Sequence, residues 1–432
     1  MKIENSELRT PKIENMSAGE IHGEVPLMEQ ILLRIKDLEK ETGIKRTILA
    51  ACPNSRAVIK AALRSAKRCN APVKFSATLN QVDLDGGYTG FTQQEFVNFI
   101  RQEALVINLT GPVIIAIDHG GPWLKDSQRQ GRWPYDAAMA AIKESFEAAI
   151  DAGYHLIHVD PTIDINLHDN EIISIEVVAQ RTVELIAHAE NYRRRRHLPR
   201  ISYEVGTEEV HGGLANMKTF TRFLRLLKEG LYEKAFNDTW PCFIVGKVGT
   251  DLHTTLFDHE VAWTLAKIAA DYNSYIKGHY TDNVENPEDY PESGMGAANV
   301  GPEFTEREYD GLMELEALEE NLIRQDKIKD AGQIKKTLRE AVIASGRWKK
   351  WLQAGENQED FNSLDPGRQE WLIKTGCRYI WENPEVVSAR EKLYLNLKKS
   401  GIDGEEIVLS HIEHAMEKYF FKFNLFDLNK YL

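Results

Sequence analysis

Little in this 432-residue sequence points to a secreted, membrane or nucleic-acid-binding protein. There are only 4 cysteines (Cys52, Cys69, Cys242 and Cys377), scattered without CxxC spacing. That scatter argues against a disulfide framework or a structural zinc site and suits reduced thiols. No run approaches the ~18 uninterrupted apolar residues of a membrane span. The opening MKIENSELRTPKIENMSAGE has no apolar stretch of the secretory kind, so a cytoplasmic protein without membrane contact is expected. Lys and Arg number 53 against 66 Asp and Glu, and the net charge of −13 disfavours broad binding to nucleic acid. The one basic run, Arg193 to Arg196, ends a helical stretch, where it complements the helix dipole. No GxxxxGK[ST] loop is present, and the glycine-rich piece Ser293 to Gly301 lacks a third spacing glycine and precedes a strand. Neither a P-loop nor a dinucleotide site is supported.

What is present is an alternation of two rhythms. Residues 25–43 read as a helix with Leu27, Ile31 and Ile35 on one face and Gly43 as its stop. From Thr47 onward come eight short apolar runs: 47–51, 72–79, 112–118, 155–160, 200–206, 242–249, 274–280 and 297–301. Helical patterns separate them, as at 55–69, 135–153, 171–197, 217–236 and 259–273. Eight buried-type strands alternating with helices predict an α/β fold, a (β/α)8 (TIM) barrel with strands covered inside and out. The seventh unit is irregular, because Pro287, Pro291, Gly294 and Gly296 favour a loop over a helix. Strand signals stop after about Gln325. The expected organisation is an N-terminal segment and helix at 1–46, the barrel at 47–325, and a helical C-terminal extension at 326–432. The extension is rich in aromatics, which are expected to pack against the barrel wall. Its Asn383-Pro384-Glu385 is a helix start, closed by Gly401.

Polar residues at the carboxyl ends of barrel strands are the natural site candidates. Three strand ends each deliver a histidine with a carboxylate nearby, and such groups are costly to bury unless paired or bound to a cation. His119, Glu208 and His279 are therefore expected to hold a divalent metal such as Zn²⁺, Mn²⁺ or Co²⁺. Asp118 would stand beside the bound substrate as an acid/base, with Asp160 and Asp282 as further catalytic candidates. Asn80, Gln81, His158, Lys247, Thr250 and Gly301 are the candidate substrate contacts. The glycines around strands 7 and 8 lie where many barrels cradle a phosphate on backbone N–H groups. Glu204 either supports Glu208 or faces the helix layer.

Several of these pieces, in order, resemble one family. They are Ala77-Thr78 with Asn80-Gln81-Val82, Gly86-Gly87-Tyr88-Thr89-Gly90, Asp118-His119, His158-Val159-Asp160, Gly206-Thr207-Glu208, His279 with Thr281-Asp282, and Asn299-Val300-Gly301-Pro302. They look like the class II tagatose-bisphosphate aldolase non-catalytic subunit family, which includes tagatose 6-phosphate and related ketose 4-epimerases. The similarity spans 47–310, and the tail from Arg378-Tyr379-Ile380-Trp381 is similar as well. It implies a barrel related to metal-dependent class II aldolases, with an Asp-His pair supplying acid/base and metal ligand. The chain departs from the family at Gly120-Gly121-Pro122, at Glu209 and His211, and in the acidic insertion 284–296. The function expected is a metal-dependent ketose or ketose-phosphate 4-epimerase acting by retro-aldol and aldol steps. The alternatives are a stabilising subunit of a class II aldolase, or the aldolase itself. A homo-oligomer or an aldolase chain would be the partner; a sugar-phosphate kinase would need a nucleotide-phosphate loop, which this sequence does not show.

Overall fold

The computed structural model describes residues 25–168, 171–207 and 213–432. All eight expected runs become parallel strands: β1 (Ile48–Ala51), β2 (Val73–Thr78), β3 (Val113–Gly120), β4 (Leu156–Val159), β5 (Ser202–Gly206), β6 (Phe243–Val245), β7 (Tyr275–Gly278) and β8 (Ala297–Val300). They close into a barrel in chain order, β1 pairing with β8 from Ile48 opposite Ala297. A two-residue antiparallel ribbon, Gly213–Leu214 with Val248–Gly249, decorates the mouth side of β5 and β6.

Strand side chains alternate in and out, and here the two faces differ in kind. Outward residues such as Phe75, Tyr203 and Val205 are buried under helices; Tyr203 donates to Glu190 of the helix Ile175–Arg195 at 3.0 Å. Inward positions instead carry Lys74, Asp118, His158, Glu204, Lys277 and Asn299, all buried. Barrel interiors are usually packed with branched apolar side chains. This one is largely ionic.

The helices begin where side chains can cap them. Ser55 accepts the Val58 N–H at 3.0 Å, and Thr92 with Glu95 forms a capping box on Gln93–Val106. The helix expected from residue 171 starts at Ile175, because Ser174 is its N-cap. The irregular seventh unit holds one short helix, Asp289–Ser293, ended by Gly294 at φ +85°. The barrel's eighth helix is Pro302–Arg324. The helix Leu27–Thr42 buries Ile31 and Ile35, stops at Gly43 and lies under the amino ends of the strands, where Glu29 accepts from Ser202 at 3.1 Å. In the basic run, Arg193 and Arg194 pair with Glu190, and Arg196 with Asp151. No helix among the described residues is long and apolar enough to cross a membrane.

Beyond Arg324 the described chain is helical, with Ile334–Ser345, Pro366–Gly376, Pro384–Lys398 and Gly404–Lys422. Asn383 caps the third of these as expected. The last packs between the first and eighth barrel helices, held by Arg64 and Arg68 on Glu413 at 2.6 and 2.7 Å. Trp348, Trp381, Tyr419, Phe420 and Phe423 are buried in this packing, whereas Phe421 and Phe426 stack on each other in solvent. The 3-10 turns Arg347–Trp351 and Cys377–Tyr379 reach back over the barrel mouth.

Candidate active site

A cavity of about 490 Å³ opens at the carboxyl ends of the strands. Its floor is built from β3. The strand's register shifts after Ile117, and His119 adopts φ +49°, a conformation a side chain with a Cβ rarely takes. That twist turns the imidazole into the cavity beside Asp118. Asp160 stands behind it, its Oδ2 2.5 Å from His119 Nδ1, and is itself held by the Thr162 hydroxyl at 2.6 Å. A carboxylate on Nδ1 sets the ring's orientation and leaves Nε2 to face the cavity. Burial opposes a charged His119, but Asp118 and then Asp160 carry its pKa up to about 9. The two carboxylates favour positive charge at this ring.

Below it lies the ionic interior. Lys277 Nζ donates to Asp118 Oδ1 at 3.0 Å and to Glu204 Oε1 at 2.7 Å, while Asn299 donates to Asp118 Oδ2 at 2.9 Å. Burial alone would raise the Asp118 carboxyl; Lys277, then His119, hold it well below the usual carboxylate range. Glu204 thus faces the barrel interior, not the helix layer. Lys74 donates to Ser76 and lies 3.8 Å from Glu204; burial and then Lys277 bring its pKa down to about 8. His158 Nδ1 lies 3.1 Å from the His119 backbone nitrogen and 3.3 Å from both Asp118 Oδ1 and Glu204 Oε1.

The expected metal ligands His119 and His279 come together, with ring centroids 4.5 Å apart. Glu208, like Glu209 and His211, lies outside the described residues. His279 Nε2 is buried without a hydrogen-bond partner, 3.7 Å from Asp118 and 3.6 Å from Glu204, and Glu204 Oε2 is likewise unpartnered. Burial holds the His279 pKa down to about 3, so the ring is neutral and available as a donor. Ligand-capable atoms of Asp118, His158, Glu204 and His279 lie within 4.8 Å of one another, as do those of His119, His158 and Asp160. Of these, His158 Nε2, His279 Nε2 and Glu204 Oε2 are buried without a hydrogen-bond partner, donor atoms that fit a divalent cation.

The remaining candidates divide. Asn80, Gln81 and Gly301 line the cavity; among the described lining residues His158, Lys247 and Thr250 do not appear. The Asn80 amide braces Leu124 and Asp126, and Gln81 spans Thr78 and Asn54. Gly87 makes this possible: at φ +53° a Cβ there would meet the Gln81 carbonyl oxygen at 2.3 Å. Thr250 donates to the His279 carbonyl at 2.8 Å, and the Lys247 carbonyl accepts from Ala215. Asp282 lies at the start of the eighth barrel helix, its Oδ1 accepting the N–H groups of Gly301 and Glu303 at 2.8 Å each. The expected phosphate cradle beside strands 7 and 8 is therefore filled by a side chain of the protein.

Sequence reasoning missed Lys74 and Lys277, although a lysine inside an otherwise apolar strand was a visible signal. It also read the aromatic extension as packing alone, whereas Arg347, Lys350, Trp351, Arg378 and Tyr379 form one wall of the cavity. No periodicity marks them.

A family model described as D-tagatose-1,6-bisphosphate aldolase subunit GatZ/KbaZ-like matches residues 33–422. The crystal structure of a probable tagatose 6 phosphate kinase from Sinorhizobium meliloti 1021 is similar in fold, with TM-score 0.71 and 21% identity, covering 87% of this chain and 100% of that one. A fructose-bisphosphate aldolase from Campylobacter jejuni aligns with TM-score 0.49 and 14% identity, over 92% of this chain and 95% of that one.

Proposed function

This chain belongs to the GatZ/KbaZ-like family of tagatose-bisphosphate aldolase subunits, and from that premise we propose that it is itself an enzyme, a metal-dependent ketose 4-epimerase. The observation that carries the reading is the Asp118 carboxylate, kept ionised by Lys277 and set beside two imidazoles on the floor of a sugar-sized cavity.

An ionised carboxylate at that place can accept the proton of the C4 hydroxyl. C4 then becomes an aldehyde carbon as the C3–C4 bond breaks, and the bond's electron pair passes to the C2 carbonyl. Rotation of the aldehyde offers its opposite face, the bond re-forms, and Asp118 returns the proton with C4 inverted. Lys277 and Asn299 keep the carboxylate aimed throughout, and Asp160 keeps His119 in its orientation. A divalent ion held by His119, His279 and Glu208 would supply Lewis-acid polarisation of the substrate's carbonyl oxygen. The wall that includes Asn80, Gln81 and Tyr88 encloses the fragments. Release of the fragments instead of their recombination would be aldol cleavage, the neighbouring activity.

The family's description as an aldolase subunit supports a second reading, a stabilising partner of a separate aldolase chain. One experiment separates the two. The protein alone is incubated with tagatose, fructose and their phosphates, with Mn²⁺, Zn²⁺ or Co²⁺ added. Formation of the C4 epimer supports the enzyme; inactivity alone, with co-purification of an active aldolase, rejects it.

A further inference from the structure

The described residues include four basic side chains that are buried: Lys74, Arg193, Lys277 and Arg378. Three face carboxylates. Lys277 has Asp118 and Glu204, Lys74 has Glu204, and Arg193 has Glu190 at 2.7 Å. Arg378, only 5% exposed, has no carboxylate within ion-pair distance among the described residues, and its Nη1 has no hydrogen-bond partner. Its guanidinium rests instead against Trp351 and Tyr379, 4.7 and 4.8 Å from the ring centroids. A buried cation without an anion is costly, and aromatic faces offset only part of that cost. Arg378 lines the same cavity as Asp118.

Its surroundings are also short of negative charge. Arg347 lies over Tyr379 and pairs with Asp126, and Lys350 shares that same carboxylate at 3.4 Å. Two cations thus divide one anion beside a third that has none. The usual alternative, an anion on the backbone at the start of the eighth barrel helix, is closed off by the Asp282 carboxylate.

We propose that the C-terminal extension builds an anion subsite centred on Arg378, with Arg347 and Lys350 at its edge, which receives a phosphoryl or carboxylate group of the sugar. The proposal rests on the ketose reading above and adds which chemical class of ketose the site takes. A planar guanidinium presents paired donors that match either group, and Tyr379 and Trp351 fix its plane. The extension is then part of the substrate site, not only a brace on the barrel.

The test is calorimetric binding of tagatose 6-phosphate, a ketohexuronate and unmodified tagatose to the full chain, followed by assay of each for its C4 epimer. The native protein is expected to favour the better anionic ligand over tagatose, and the identity of that ligand decides between phosphoryl and carboxylate. Arg378→Gln is expected to weaken the anionic ligand about 10- to 100-fold more than tagatose, the worth of a charged hydrogen-bond pair. Arg378→Lys should recover part of that loss. If Arg378→Gln does not fold, Arg378→Lys and Arg347→Gln carry the test, each expected to show the same selective loss to a smaller degree. Equal affinity for all three ligands, or equal weakening of charged and neutral ones, overturns the subsite. Arg378-dependent anion binding without any C4 epimer sinks the epimerase and leaves the subsite standing. Epimerisation of tagatose with no preference for an anionic ligand does the reverse.

Discussion

Asp118, at the end of β3, and Asp282, just beyond β7, are buried carboxyl groups on the wall of one cavity, yet their surroundings are opposite. Asp118 meets a full cation, Lys277, at 3.0 Å and stays ionised. Asp282 meets only backbone N–H groups, with the Glu303 carboxyl nearby, and burial pushes its pKa up to about 7. Two amide hydrogen bonds do not replace the solvation that burial removes, whereas an ammonium does. The first carboxyl is held as an anion at the cavity, and the second organises a helix start.

Replacing each group in turn sharpens that contrast. The largest effect is expected from Asp118→Asn, which keeps the shape but removes the base; C4-epimer formation should fall by about 10²- to 10⁴-fold. An activity loss under threefold would place the base elsewhere. Next is Lys277→Met, which strands Asp118 and Glu204 without their cation. Denaturant unfolding should show a loss of about 3–5 kcal/mol, partly restored by adding Glu204→Gln. If Lys277→Met is as stable as the native chain, the ionic interior is not held by this lysine.

Asp282→Asn should act through pH. A carboxyl raised in the folded state binds its proton more tightly there than in the unfolded chain. Folded stability therefore falls as pH rises from about 4 to about 7 and levels off above that. Asparagine removes this contribution, so the variant should lose less stability than the native chain across the same window, as followed by thermal unfolding at several pH values. A steeper fall in the variant would reverse the sign assigned to Asp282. The smallest effect is expected at the rim of the extension. Lys60→Ala breaks an exposed pair with Glu405 and should cost no more than about 0.5 kcal/mol in the same unfolding assay.

The outline of the barrel was legible because strand and helix periods are local. Eight apolar runs, the helix stop at Gly43 and the cap at Asn383 depend on neighbours a few residues away, and each forms where expected. Asp118, His119 and His279 were legible too, since a strand end in a barrel points to the mouth. Roles were harder. Asp160 sits behind His119 and Thr250 holds the His279 carbonyl, arrangements set by loops that meet only in space.

By itself, the order of residues determined a closed parallel barrel and the strand ends that crowd imidazoles and carboxylates together, because alternation along a strand decides which side chains face inward. Only the tertiary structure decided the charge state of that crowd and the composition of its far wall. Lys277 reaches Asp118 across 159 positions of chain, and Arg378 joins the cavity from an extension that carries no strand among its described residues. Electrostatic energy depends on distance and burial in space, and neither is written in any local pattern.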